Sequence, residues 1–269
     1  MENCARCGET RTWRLADGRY KCVRCGLRYS WTSVWDAVRL PEEAKEGLLD
    51  AFVQGLPSYR QRFISAVNAK SRERFYRLCR AACAQAERLQ APFATIVTAP
   101  VAAPDAPERM LVLQLARHGA GISPAALAQS PQPWTLRPTP GLHPAGLNGA
   151  YLVLPLRGDY VSLQGLRDAA PEQAPFAEFW RYAQDWLRPY HALPRQYFHL
   201  YLGEICFRFN RREQAVKPVL RELLQQYSIQ ELQPLLERES GAAGTPSVGA
   251  GAPRRAAREP VRDLARHQA

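Results

Sequence analysis

Four cysteines near the start of the chain have the spacing of metal ligands. CARC at 4–7 and CVRC at 22–25 form two CxxC pairs separated by 14 residues. Two thiolates spaced this way sit on one tight turn. Two such turns then offer Zn²⁺ four tetrahedral sulfur ligands, Cys4, Cys7, Cys22 and Cys25. Gly8 and Gly26 directly follow the second cysteine of each pair, where a positive φ lets backbone N–H groups turn toward the sulfurs. Between the pairs, TWRLADGRYKC alternates and carries Asp17-Gly18, a hairpin turn signal. These features predict a structural zinc ribbon over residues 1–32, and four cysteine ligands leave no position open for catalysis. A redox CxxC does not account for two pairs without thioredoxin-like surroundings. Such a ribbon either binds DNA, through Arg24 and Arg28, or braces its neighbour; the sequence favours neither.

The second group with chemical potential is acidic. PFAEFWRYAQDWL, residues 175–187, holds Glu178 and Asp185 among Phe176, Phe179, Trp180 and Trp186. Carboxylates are sparse before it: from Ala91 to Ala170 there are only Asp105, Glu108, Asp159 and Asp168. Either these acids do metal chemistry or they solvate the outer side of a buried helix.

The elements that must position these groups fall into segments. Residues 36–90 read as helical. Pro41 opens a helix with acids in its first turn and Gly55 as its stop, and Ala44, Leu48, Ala51 and Phe52 share one face. A longer helix follows, with Phe75, Leu78, Cys79, Ala82, Ala86 and Leu89 on one face. Lys70, Arg72, Arg74 and Arg77 crowd its N-terminal turns. A short helix, a turn and a longer helix with a basic beginning match a helix-turn-helix, whose second helix enters the major groove N-terminus first. A helical linker with a solvated basic face is the alternative. Cys79 and Cys83, at i and i+4, read as small packing residues because no partner ligands lie nearby.

Residues 92–238 combine strands at 93–101, 109–119 and 150–158 with two late helices carrying aromatic stripes, which indicates an α/β core. From Ser240 the chain is small and basic with almost no large apolar residues, and it reads as a disordered tail over 240–269. The formal charge of +11 and pI near 9.6 point to a polyanionic partner. Residues 58–88 alone hold 8 Lys/Arg against 2 Asp/Glu, which concentrates the excess on the helical segment. No apolar run approaches the ~18–20 residues of a membrane span. With no secretory signal at the N-terminus, the expected location is cytoplasmic and nucleoid-associated.

FWRYAQDWLRPYHALPRQYFHLYLGEICFRFNRRE resembles the C-terminal region of bacterial insertion-sequence transposases that begin with a zinc ribbon, which are DDE-type enzymes with an RNase H-like domain. The closing Arg208, Phe209, Asn210 and Arg212 match that group's Arg-Phe-Asn-x-Arg, and the order ribbon, helix-turn-helix, α/β core matches its plan. The likeness covers about residues 1–90 and 175–236 and is loose between them. It implies two-metal phosphodiester chemistry on three acidic positions holding Mg²⁺. The chain departs from the pattern at each one. Thr98 or Ala99 stands where the first strand should end in an acid, and no Asp-Gly or Asp-Ser marks the later strand, where Asp159 is the nearest acid. Ala177 stands at the helix position, with Glu178 about 100° further round.

The resemblance therefore implies a zinc-binding protein of DNA transposition that recognises the double-stranded DNA of element ends, with a damaged catalytic site. Rivals are an active Mg²⁺-dependent transposase, drawing on Asp105, Asp159, Glu172 or Glu178, and a non-enzymatic regulator. A homo-oligomer is compatible with either. His191 and His199 are candidates to assist such chemistry but read first as packing or hydrogen-bonding groups at a helix surface, and for Glu204 an i, i+4 surface pair with Arg208 is as good an account as catalysis.

Overall fold

Two apolar runs, RMLVLQLARH and GAYLVLPLR, lack the polar-apolar alternation of a half-exposed strand, and they form the two longest strands of a computed structural model of the chain. The structure describes residues 4, 6–7, 9–17, 19–63, 66–87, 94–98, 109–118, 121–125, 141–144, 149–163 and 176–237. The expectations placed on Gly8, Gly18, Ala99, Asp105, Glu172 and the tail lie outside those residues.

A small sheet comes first, with β1 (Thr12–Arg14), β2 (Tyr20–Cys22) and β3 (Arg28–Tyr29) in the order β1-β2-β3. The larger sheet contains β4 (Ala94–Thr98), β5 (Arg109–His118), β6 (Gly121–Pro124), β7 (Gly141–Pro144), β8 (Gly149–Arg157), β9 (Tyr160–Ser162) and β10 (Ala192–Pro194). Its order is β10-β9-β8-β5-β4, with β6 also on β5 and β7 also on β8. Every described pair is antiparallel. Both faces of the central pair are apolar. Leu111, Leu113, Leu152 and Leu154 join the main core, while Met110, Val112 and Val153 form a second cluster on the other face. That explains why alternation is missing in β5 and β8.

Helices flank this sheet in sequence: α1 (Val34–Ala37), α2 (Glu42–Val53) and α3 (Ala69–Ala86) before it, then α4 (Phe176–Leu187), α5 (Phe198–Asn210), α6 (Val216–Gln226) and α7 (Ile229–Leu236). The described residues thus form a mixed α/β protein with two sheets. Its antiparallel pairs need no crossover helices, so the helices cluster in two blocks rather than alternating with strands.

The helix pair α3 and α5 forms the centre of the core. From Leu78 to Ala84, α3 is buried all round: the small residues Cys79, Ala81, Ala82, Cys83 and Ala84 are each fully covered, and Leu78 and Arg80 are buried among them. Cys79 and Cys83 are the packing residues the sequence indicated, and burial raises both thiols well above their usual range. At the crossing, a Cβ on Gly203 of α5 would lie 2.5 Å from the Ala84 Cβ and 2.8 Å from its Cα. Gly203→Ala is therefore expected to lower stability by about 1–3 kcal/mol in chemical denaturation, because two helices must separate to admit one methyl group. Ala84→Gly in the same chain should recover part of that loss. An unchanged denaturation midpoint for Gly203→Ala would contradict this packing.

Gly55 ends α2 as expected, at φ +76, and the space beside it is filled by the Trp186 ring. In α4, Phe176, Phe179, Trp180, Ala183 and Leu187 are buried while Glu178 and Asp185 face solvent. The two acids of this segment solvate its outer side.

Candidate metal centre

The antiparallel hairpin β1-β2 sets the four cysteines. Thr12 pairs with Cys22 and Arg14 with Tyr20, so the end of β2 delivers Cys22 into the turn that carries Cys25. That turn closes through Gly26, whose φ of +69 only glycine adopts without strain, with its N–H donating to the Cys22 carbonyl at 3.1 Å. The Cys25 N–H points at the Cys22 sulfur at 3.5 Å. On the other arm, the Cys4 N–H donates to the Glu9 carbonyl at 2.8 Å.

All four sulfurs lie within 4.8 Å of one another, and the Cys4–Cys25 and Cys7–Cys22 pairs are each 3.5 Å apart. A tetrahedral ion with metal–sulfur bonds of about 2.3 Å places its sulfurs about 3.8 Å apart, so the set fits such an ion. No disulfide joins them. Desolvation opposes ionisation of Cys4, but N–H donors from Arg6 and Cys7 and the thiols of Cys25 and Cys22 outweigh it and bring its pKa down to about 6. At Cys7 a hydrogen bond from the Glu9 backbone favours the thiolate, yet desolvation and the neighbouring Cys22, Cys25 and Cys4 push its pKa up to about 12. Four sulfurs this close cannot all carry negative charge without a cation between them. The arrangement can hold a metal ion.

Among the described residues, these cysteines are the only group of three or more His, Cys, Asp or Glu ligand atoms close enough to share a metal. The carboxylates considered for two-metal chemistry are dispersed. Asp159 sits in the β8–β9 turn with its side chain 91% exposed, 4.0 Å from Arg195. Glu178 is exposed on α4, Ala177 half-buried beside it, and Thr98 ends β4 opposite Arg109. His191 is exposed. His199, expected at a helix surface, is instead fully buried, its Nε2 2.7 Å from the Leu235 carbonyl oxygen.

Glu204 also departs from expectation. Its pairing with Arg208 is present at 2.9 Å, but the pair is buried rather than on the surface. Arg80 of α3 binds the other carboxylate oxygen at 2.9 Å, and Arg80, Glu204 and Arg208 are each 3–4% exposed. Arg80 further donates to the Tyr190 hydroxyl at 3.3 Å, and its guanidinium lies 3.9 Å from the Tyr201 ring centroid. Arg208 donates to the Phe52 and Val53 carbonyls at 2.8 and 3.1 Å, tying α5 to the last turn of α2, where the Phe52 carbonyl also accepts from the Gly55 N–H. The rest of the Arg-Phe-Asn stretch is equally architectural. Phe209 packs edge-on against Phe179 at 5.3 Å. Asn210 accepts from the Ile122 N–H at 2.8 Å and donates to its carbonyl at 2.9 Å, clamping β6 to α5. The motif that carries the family resemblance thus holds three elements together.

The residues read as DNA contacts divide. Arg24 and Arg28 of the cysteine-bearing module are exposed, as are Lys70 and Arg74 in the first turns of α3. Arg77 is half-buried, its guanidinium 4.0 Å from the Tyr197 ring centroid. Arg72 is buried and its guanidinium donates to the Val67 carbonyl, so it belongs to the fold rather than to a basic face. Its place in the basic run concealed this, although Arg72 stands three and seven residues before Phe75 and Cys79, beside the face that the helical period marks as buried. A residue missed by the sequence reading is Trp13, which stands 65% exposed on β1. Its alternation with Thr12, the partner of Cys22, was the available signal.

Fold and site together define a mixed α/β protein whose N-terminal module brings four cysteines close enough to hold a metal ion. Comparison with protein families, with curated proteins and with solved structures finds no match to this chain. No helix among the described residues is long and apolar enough to cross a membrane.

Proposed function

We propose that this chain is a DNA-binding protein of the zinc-ribbon transposase type, with Zn²⁺ in the four-cysteine site and no working two-metal site. The observation that carries the binding claim is the set of exposed cations at Lys21, Arg24 and Arg28, on the module that carries the four clustered cysteines. Phosphate contacts need cations on a fixed scaffold, and the knuckles supply one. A second basic point, Lys70 and Arg74, lies where α3 begins, its first turn capped by the Asn68 side chain on the Ser71 N–H at 2.9 Å. The helix-turn-helix reading places this end in a major groove. The remainder of α3 packs into the core and positions that end. Zinc is favoured over other ions because four thiolates in tetrahedral array with no open position suit a structural d¹⁰ cation. Kinship with the transposase core rests on the Arg208-Phe209-Asn210 stretch and the order of elements. The dispersed Asp159 and Glu178 support a scaffold without strand-transfer chemistry.

Duplex binding should weaken steeply with salt. Replacing Arg24 and Arg28 together by alanine is expected to lower the slope of log K against log salt by about 0.9 for each lost phosphate contact. Lys70→Ala with Arg74→Ala should act likewise, whereas Arg72→Ala should alter stability first. Fluorescence anisotropy of a labelled duplex over a salt series provides the measurement, and affinity indifferent to both double variants would remove the proposal. On supercoiled plasmid with Mg²⁺ or Mn²⁺, no nicking is expected. Cleavage abolished by Asp159→Ala or Glu178→Ala would replace the scaffold reading with that of an active transposase.

A further inference from the structure

We propose that the face of the ribbon formed by Trp13, Lys21 and Arg28 is a stacking site for an unpaired base of single-stranded nucleic acid. This narrows the nucleic-acid reading above and rests on it. The strand register fixes the geometry. Trp13 lies directly opposite Lys21 across β1 and β2, and Lys21 lies opposite Arg28 across β2 and β3. Residues directly opposite in an antiparallel pair project from the same face with Cβ atoms about 4.5–5.5 Å apart. One row therefore runs indole, ammonium, guanidinium across the full width of the sheet. All three are exposed, Trp13 to 65%, and it heads the large apolar side chains left in water among the described residues.

The opposite face is occupied. Thr12, Tyr20, Cys22 and Tyr29 alternate to that side and are at least half-buried, with only Arg14 of that row exposed; Tyr20 and Tyr29 contact each other at 6.1 Å, and Cys22 belongs to the sulfur cluster. The negative charge of the thiolates is thus directed away from the Trp13 row. The acids near the row are already engaged: Glu9 with Arg11 at 3.3 Å, and Asp17 with Arg19 at 2.6 Å, Asp17 also feeling the charge of Arg28. An exposed π face beside two cations complements a base next to its phosphates, since every base offers a π face and every linkage a negative charge. A base inside a duplex has both faces covered by its neighbours. The occupant is accordingly a base that is unpaired, at a strand end or in a single-stranded stretch.

The test uses the full zinc-loaded chain and an oligothymidylate of about 15 nucleotides at low salt, followed by anisotropy and by tryptophan emission. The chain has six tryptophans, so the Trp13 signal is taken as the difference from Trp13→Phe. Oligothymidylate should quench that signal, Trp13→Ala should bind about tenfold more weakly, and Trp13→Phe should keep most of the affinity. An abasic strand of equal charge should not distinguish these proteins. Because Trp13 is exposed, zinc content and denaturation midpoint should stay at the parent values in both variants. Equal oligothymidylate affinity for Trp13→Ala and the parent would overturn the proposal. So would an oligoglutamate peptide that binds with the same Trp13 dependence, which would make the row a site for acidic polypeptide. Duplex binding that is intact while single-strand binding ignores Trp13 would refute this inference alone. Trp13-dependent strand binding without duplex binding would refute the duplex reading alone, and failure to bind either nucleic acid would refute both.

Discussion

Cys22→Ser is expected to abolish stoichiometric zinc and unfold the N-terminal module while the α3–α5 core stays folded. Purified parent protein should contain one zinc per chain by elemental analysis. Cys22 is the buried member of its knuckle, its amide is tied to the Leu27 carbonyl at 2.9 Å, and its sulfur lies 3.5 Å from that of Cys7. Serine at this position replaces a thiolate with a hydroxyl that stays protonated, so the ion loses a ligand and a charge together. The small sheet has no core of comparable size to fall back on, with Trp13 and Val23 exposed. Apparent metal-binding energies of such sites, about 10–16 kcal/mol near neutral pH, exceed what the hairpin's own hydrogen bonds supply. Because ligation requires thiolates, binding releases protons, and metal should be lost progressively as pH falls. A chelating dye read across a pH series follows that loss. Retention of one metal by Cys22→Ser, or a parent protein that is folded and metal-free, would contradict the metal centre.

Glu204→Gln should cost about 3–5 kcal/mol of stability, a large share of a typical total of about 5–15 kcal/mol. The substitution keeps the side chain's shape and removes only its charge. Arg80 and Arg208, each 4% exposed at the side chain, would then lose the carboxylate that both contact at 2.9 Å. A guanidinium that far from water has no solvent to replace it. The effect should spread to α2, because Arg208 reaches the Phe52 and Val53 carbonyls only while Glu204 holds its other edge. Glu178→Gln, on the exposed side of α4, is the matched control and should stay within about 0.5 kcal/mol. Urea denaturation of both variants decides between them, and a loss below about 1 kcal/mol at Glu204 would show that the triad is not a buried charge cluster.

The two predictions differ in how legible their residues were. The cysteines could be placed from spacing, because the two ligands of each pair lie within four consecutive residues that define their geometry locally. Glu204 was visible as the partner of Arg208, since i, i+4 neighbours meet on any helix. Its burial was not visible, because the second partner, Arg80, lies 124 residues away along the chain. Arg72 illustrates the same limit from the other side. Its neighbours Lys70 and Arg74 are exposed, and nothing in the run of charges separates it from them.

The chain by itself determined what depends on near neighbours. The CxxC spacing set the four-cysteine cluster, the aromatic stripe of Phe176, Phe179 and Trp180 set the buried side of α4, and the outward placement of Glu178 and Asp185 followed from the same 3.6-residue period. Positions of strands β4, β5 and β8 and of the stop at Gly55 were local signals as well. Tertiary structure alone decided which neighbours cover each face. It made the large sheet antiparallel in every described pair, turned the Arg208-Phe209-Asn210 stretch into a clamp on α2, α4 and β6, and buried a carboxylate between two arginines. It also left one tryptophan in water beside two cations. The reason is physical: periodicity specifies that a side chain lies on a given face, whereas burial and pairing are set by segments distant in sequence that happen to close over it.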